Sequence, residues 1–175
     1  MLTLPLNVVV PRKIGAPGNP ELAIGAIGES GEAFYNKALI GLLGVKEDYL
    51  EDEVNIERER AKQRLTLYRR YAPLPTIKGK TILLIDDGIA TGATMLAVIQ
   101  SMRKDGAKRI IAAVPVAPAD SLALIEAAAD EVVCLEITQD FFGVSYYYRE
   151  FSQTEDEEVI RLLSESRAMP SADGL

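Results

Sequence analysis

Lys80–Thr94, KTILLIDDGIATGAT, is the stretch that decides the fold. Ile82–Ile85 forms a short apolar run of the kind that fills a buried strand. It ends on two adjacent acids, Asp86 and Asp87, and a turn of small residues follows: Gly88-Ile89-Ala90-Thr91-Gly92-Ala93-Thr94. An amphipathic helix begins there. A strand running into a small-residue turn and a helix N-terminus is suited to a phosphate dianion, because unpaired backbone N–H groups and threonine hydroxyls converge on one point. Gly88 and Gly92 allow the backbone to come close. Neighbouring carboxylates repel one another and need a cation or a polyol to share. The cis hydroxyls of a ribose, or a Mg²⁺ complex of the ligand, meet that need. Asp-Asp-Gly alone would be an ordinary turn after a strand, with Thr91 as a helix cap; the full strand–turn–helix context favours a sugar-phosphate site.

Outward from this stretch, apolar runs at Asn7–Val10, Ile110–Val114 and Glu131–Leu135 join Thr81–Ile85 as expected strands. They do not alternate with polar residues, so they are expected to be covered on both faces. Helical patterns at Thr94–Lys104, stopped by Gly106, and at Ala119–Ala129, capped by Asp120 or Ser121, separate the later strands. The expectation is an α/β fold, three-layered, with a mostly parallel central sheet, flanking helices and a small hairpin and hood region. Gly15–Pro20 reads as a loop. Leu22–Ile27 and Ala33–Tyr35 read as a hairpin about Glu29–Glu32. Lys46–Arg70 reads as one long helix, with Leu50, Val54, Ala61, Leu65 and Tyr68 on its apolar stripe and charges matched to its dipole. Pro73-Leu74-Pro75 stops it. A last helix is expected at Glu155–Ser164, and the whole is read as one domain over 1–167 with a flexible tail at 168–175.

The bulk properties narrow the function. The 175-residue chain is 48% apolar and carries a formal charge of −7, from 19 basic and 26 acidic residues. That balance opposes nonspecific nucleic-acid binding, and no apolar stretch is long enough to span a membrane. Cys134 is the single cysteine and sits in an apolar run, so a structural thiol and a cytoplasmic location are expected. The chain contains no histidine, which excludes Ser-His-Asp and Cys-His catalysis.

ILLIDDGIATGAT closely resembles the phosphoribosyl pyrophosphate signature of type I phosphoribosyltransferases. VVVPRKIGAPGNPELAIGAIGESG, PVAP and the DEVVCL…FFGVSYYYREFSQ…DEEV segments are similar to a bacterial and archaeal branch of that superfamily. The resemblance covers about Asn7–Leu163. It implies transfer of ribose 5-phosphate from phosphoribosyl pyrophosphate to a base-like acceptor, with Mg²⁺ on the pyrophosphate and a homodimer as the usual assembly. It also implies that Asp86 and Asp87 hold the ribose hydroxyls, while Gly88, Ala90, Thr91, Gly92, Ala93 and Thr94 form the 5′-phosphate loop. Arg12 and Lys13 would face pyrophosphate, with the Gly15–Pro20 loop as a lid. Among Phe141, Phe142, Tyr146, Tyr147 and Tyr148, Phe142 is the candidate to stack on the acceptor; an aromatic cluster is otherwise core.

Only six residues precede the expected strand Asn7–Val10. Relatives begin with a strand–loop–helix unit that grips pyrophosphate, and a crossover takes about a dozen residues. The chain therefore either starts inside a longer gene or lacks that loop; Pro11-Arg12-Lys13 serving as the loop is a third option. Three readings remain: an enzyme, a weakly active module that binds phosphoribosyl pyrophosphate or nucleotides and regulates a partner, and a nucleic-acid binder, which the charge opposes. The identity of the acceptor stays open.

Overall fold

The computed structural model describes residues 4–28, 31–73 and 76–168. Its elements are β1 (Arg12–Ala16), β2 (Asn19–Ile27), β3 (Ala33–Tyr35), α1 (Lys37–Leu43), α2 (Glu47–Arg69), β4 (Thr81–Ile85), α3 (Ala93–Lys104), β5 (Arg109–Pro118), α4 (Ala119–Glu126), β6 (Glu131–Thr138) and α5 (Asp156–Ala168), with a single 3-10 turn at Val144–Tyr147. Strands β4, β5 and β6 pair in that order as a parallel sheet. Two right-handed crossovers put α3 and α4 on the same face. Leu84, Ile89, Met95, Val98, Ile99, Met102, Ile110, Ala112, Val114, Leu122 and Ile125 close the core between sheet and helices.

A second sheet, β1-β2-β3, is antiparallel. It packs on the far side of α3, where Gly28 approaches Ser101 so closely that an added Cβ would lie 3.2 Å from the serine Cβ. Its other face carries α2: Ile14, Ile24 and Ile27 bury against Val54, Tyr49 and Leu50. The long helix follows its sequence closely, with Val54, Ala61 and Tyr68 buried along the expected stripe. Helix α5 closes a third cluster with Val10, Tyr68, Ala72 and Leu163.

The fold departs from the sequence reading at several points. Asn7–Val10 is not a strand. It runs extended, Val9 packing on the main core and Val8 and Val10 on the α2–α5 cluster. Its Val8 carbonyl accepts from the Arg69 guanidinium at 2.9 Å instead of a neighbouring strand. Gly15–Pro20 is not a loop that can serve as a lid. Pro17-Gly18 makes a two-residue turn, with Gly18 at φ 73°, and strands flank it on both sides. Helix α1 was not anticipated. The α4 cap is neither Asp120 nor Ser121, since the helix starts at Ala119 after Pro118 with no side-chain cap. Strand burial also differs: the face opposite α3 and α4 is open, with Ile85, Leu135 and Ile137 at 71, 80 and 56% exposure. The β2–β3 hairpin forms as expected, although Glu29 and Ser30 of its connection, Leu74 and Pro75 of the helix stop, and the tail 169–175 lie outside the described residues.

Candidate functional site

The parallel ladder delivers Asp86 and Asp87 to the carboxyl end of β4. Asp86 N–H still donates to the Ala113 carbonyl, at 3.3 Å, and Ile89 N–H rejoins the sheet at the Val116 carbonyl, at 2.9 Å. Between these anchors the chain bulges outward, and buried Ile89 pins the bulge from beneath. Gly92 then turns the chain into α3 with φ 77°, a conformation other residues adopt only with strain. No side chain caps α3, so its first-turn N–H groups point from the loop without intrahelical acceptors. Ala93 N–H makes only a long contact, 3.5 Å, to Thr91 Oγ1. The Ser121 hydroxyl donates to the Ala90 carbonyl at 2.6 Å and ties the loop to α4.

Every loop residue named from the sequence therefore stands on one contiguous turn. Thr94 and Asp86 also share a narrow groove of about 90 Å³ with Val9, Pro11, Leu84, Ile85, Met95 and Val98. Ligand pockets usually exceed about 300 Å³, so the site is a surface cradle with a small recess. Dehydration is the main influence on both carboxyls and raises them above the ordinary aspartate range. At Asp86 the hydrogen bond from Asp87 N–H, at 3.0 Å, opposes this rise, and the neighbouring Asp87 charge adds to it. At Asp87 backbone N–H groups, including that of Gly88, oppose it. Both side chains still meet water, which limits the effect. A pair held this way gains from hydroxyl donors or a cation brought by a ligand.

The segment 141–148 seats on this turn. Val144 packs so tightly on Gly88 that a Cβ there would lie 2.9 Å from both Val144 methyls, and the Tyr148 hydroxyl donates to the Asp87 carbonyl at 2.7 Å. Phe142 stands 75% exposed with its ring centroid 5.8 Å from that of Tyr146. Nothing in the sequence singled out Tyr148 from its neighbours.

Arg12 and Lys13 part company. In an extended chain, side chains alternate sides. Val9 and Pro11 face the groove at Asp86, and Lys13 continues that row; Val8, Val10 and Arg12 face α2 and α5. Arg12 Nε donates to Glu57 at 2.6 Å. Glu57 is buried, and its other oxygen accepts from Arg60 at 2.5 Å. Burial would raise its carboxyl, but the hydrogen bonds and charges of Arg12 and Arg60 outweigh that and hold it below the usual range. Glu57 was missed by the sequence reading, although an acid three residues after Val54 and four before Ala61 lies on the apolar stripe. Cys134 is half buried and its thiol is raised by burial, so it is not poised as a nucleophile.

The comparisons agree with this geometry. The family model "Phosphoribosyl transferase domain" matches residues 2–150. Two Mycobacterium tuberculosis proteins, from strains CDC 1551 / Oshkosh and ATCC 25618 / H37Rv and each provisionally named a phosphoribosyl transferase, are 42% identical over 165 residues. The match spans 93% of this chain and 37% of theirs, so the chain corresponds to little more than a third of those relatives. The crystal structure of TT1426 from Thermus thermophilus superposes with a TM-score of 0.73 at 41% identity, covering 91% of this chain and 75% of that one. No helix among the described residues is long and apolar enough to cross a membrane. With the parallel sheet, the acidic strand tip and the small-residue turn all in place, the chain belongs to the phosphoribosyl transferase domain family.

Proposed function

We propose that the chain transfers the ribose 5-phosphate of phosphoribosyl pyrophosphate to a nucleobase-like acceptor and releases pyrophosphate. The observation that carries this reading is the continuous turn from Asp86 to Thr94, with paired acids at the strand tip and open N–H groups at the start of α3. Thr91, Thr94 and the loop amides hold the 5′-phosphate. Asp86 and Asp87 accept hydrogen bonds from the two ribose hydroxyls and so fix the anomeric carbon in place. Positioning and charge stabilisation carry the reaction, with no covalent intermediate on the protein. Lys13, on the groove side of its strand, is the cation for the departing pyrophosphate. Phe142, exposed on the segment seated over Gly88, is the acceptor platform.

Mg²⁺ fits this site as an ion borne by the substrate. The described residues hold no group of three or more potential ligands for a metal, while Asp86 and Asp87 offer two carboxylates. Mg²⁺ commonly sits on one or two carboxylates plus phosphate oxygens. When bound, it supplies charge neutralisation to the leaving group.

The test is incubation with phosphoribosyl pyrophosphate, Mg²⁺ and a panel of bases, following pyrophosphate release. Turnover with at least one acceptor, lost in Asp87→Asn, is expected; a folded protein inert with every base refutes the enzyme reading. The engagement of Arg12 by Glu57 favours a second reading, a module that binds phosphorylated pentose without turnover and regulates a partner. It predicts ligand-induced thermal stabilisation with no pyrophosphate released. We further propose a cytoplasmic homodimer. The single cysteine supports the location and the open apolar sheet face supports self-association. Sedimentation at monomer mass across the micromolar range would refute the dimer.

A further inference from the structure

A second cationic concavity lies on the other side of β1 from the phosphate turn. Arg12, Arg60, Gln63, Arg64, Leu67 and Asp156 line a cleft of about 420 Å³ where β1, α2 and α5 meet. That volume is within the range of small-molecule sites, roughly 300–1,000 Å³. Three guanidinium charges face two carboxylates, those of Glu57 and Asp156, so the cleft is net cationic in a chain of formal charge −7.

The arginines are held in place from beneath. Buried Glu57 uses one oxygen on Arg12 Nε and the other on Arg60 Nη1, which leaves the outer N–H groups of both guanidinia turned to the cleft. Asp156 Oδ1 accepts from Arg64 Nε at 3.2 Å and from the Tyr68 hydroxyl, so this carboxylate is directed into the wall. A planar guanidinium fixed at one edge presents its remaining donors as a fork, the geometry that suits phosphate oxygens. The side chains are also open to solvent: Arg60 is 59% exposed, Arg64 39% and Arg12 30%.

We infer that this cleft is a separate binding site for a small polyanion of the di- or triphosphate class, distinct from the turn at Asp86–Thr94. The two concavities touch opposite sides of one extended segment, Pro11 bordering the groove and Arg12 the cleft. Such a ligand would bridge β1, α2 and α5. The inference does not depend on the reaction proposed above.

The experiment is calorimetric titration with inorganic pyrophosphate at low ionic strength, where screening is weak. Wild type is expected to bind, and Arg60→Ala/Arg64→Ala to bind at least about tenfold more weakly, since each charge-assisted hydrogen bond contributes more than a neutral one. Arg60→Gln alone, at the most exposed position, should fall between the two and controls for folding. Thr94→Val, or saturation with ribose 5-phosphate, should leave pyrophosphate affinity within about twofold, as for independent sites. Competition separates the sources of the anion. If phosphoribosyl pyrophosphate leaves pyrophosphate binding in place, the cleft serves a separate phosphorylated effector; if it displaces pyrophosphate one for one, the cleft is the leaving-group end of the same site and the inference falls. It falls equally if the arginine variant binds as wild type does, or if wild type takes up no pyrophosphate at millimolar concentration. None of these outcomes alters the ribose 5-phosphate test of the proposed function.

Discussion

Gly88→Ala probes the seat on which the 141–148 segment rests. The backbone itself tolerates alanine, because Gly88 is not among the glycines with positive φ. The obstacle is space. A new Cβ would lie 2.9 Å from both Val144 methyls and 3.1 Å from Val116 Cγ1. Valine methyls sit on a stiff rotamer, so relief requires Val144 to move with its backbone. Overpacking of this kind costs about 1–3 kcal/mol. Alanine returns about 0.4–1 kcal/mol by restricting the unfolded chain. The net loss is about 1–2 kcal/mol, which at roughly 2–4 °C per kcal/mol is a Tm lower by about 2–8 °C. Scanning calorimetry measures it, with Gly41→Ala in α1 as control. That site has no atom near an added Cβ and should gain about 0.5–1 kcal/mol. Val144→Ala in the Gly88→Ala background should recover part of the loss through coupling. A Tm unchanged or raised in Gly88→Ala, or additive effects in the double variant, would refute the seated-segment reasoning.

Other expectations concern charge and backbone. Glu57 is held below its ordinary value, so its contribution is present above about pH 4.5 and disappears as pH falls through the lowered value. Glu57→Gln should cost about 1–3 kcal/mol at neutral pH, discounted because Arg12 and Arg60 are partly exposed, and its deficit in urea titrations should narrow in acid. Asp86 is raised, so its charge opposes folding at neutral pH and the penalty fades as pH falls through the raised value. Asp86→Asn should therefore raise Tm at pH 7 by about 1–3 °C, given its exposure, while abolishing ribose 5-phosphate binding. The stability gain should vanish near pH 3. Gly92→Ala places a side chain at φ 77° and should lose about 1–2 kcal/mol by chemical denaturation, with the phosphate loop distorted.

The parts of the fold readable from sequence are those whose partners are supplied locally. The β4–α3–β5–α4–β6 run combines apolar strands, helical periodicity and a glycine stop at Gly106, and each signal agrees with the next. The β2–β3 hairpin and α2 carried similar internal evidence. Asn7–Val10 looks equally apolar, but a strand is a pairing rather than a composition, and here Arg69 takes its Val8 carbonyl. Gly15–Pro20 has the composition of a loop because a two-residue turn needs Gly18; the flanking pairing is long-range and invisible in the run itself. Helix α1 could have been found from its ends, since Asn36 caps Leu39 N–H and Gly44 closes the helix at φ 61°. The loop residues of the site were legible because they are contiguous. The Glu57 clamp and the Tyr148–Asp87 bond were not, because each joins residues more than forty positions apart.

The central claim is that the turn behind Asp86 and Asp87 cradles a phosphorylated pentose. The most direct measurement is a titration of the ¹⁵N-labelled protein with ribose 5-phosphate, following backbone amides. Saturable shifts centred on Asp87–Met95, absent in Asp87→Asn, are the result expected. Amides of this turn that stay in place while the ligand binds elsewhere, or does not bind at all, would contradict the account.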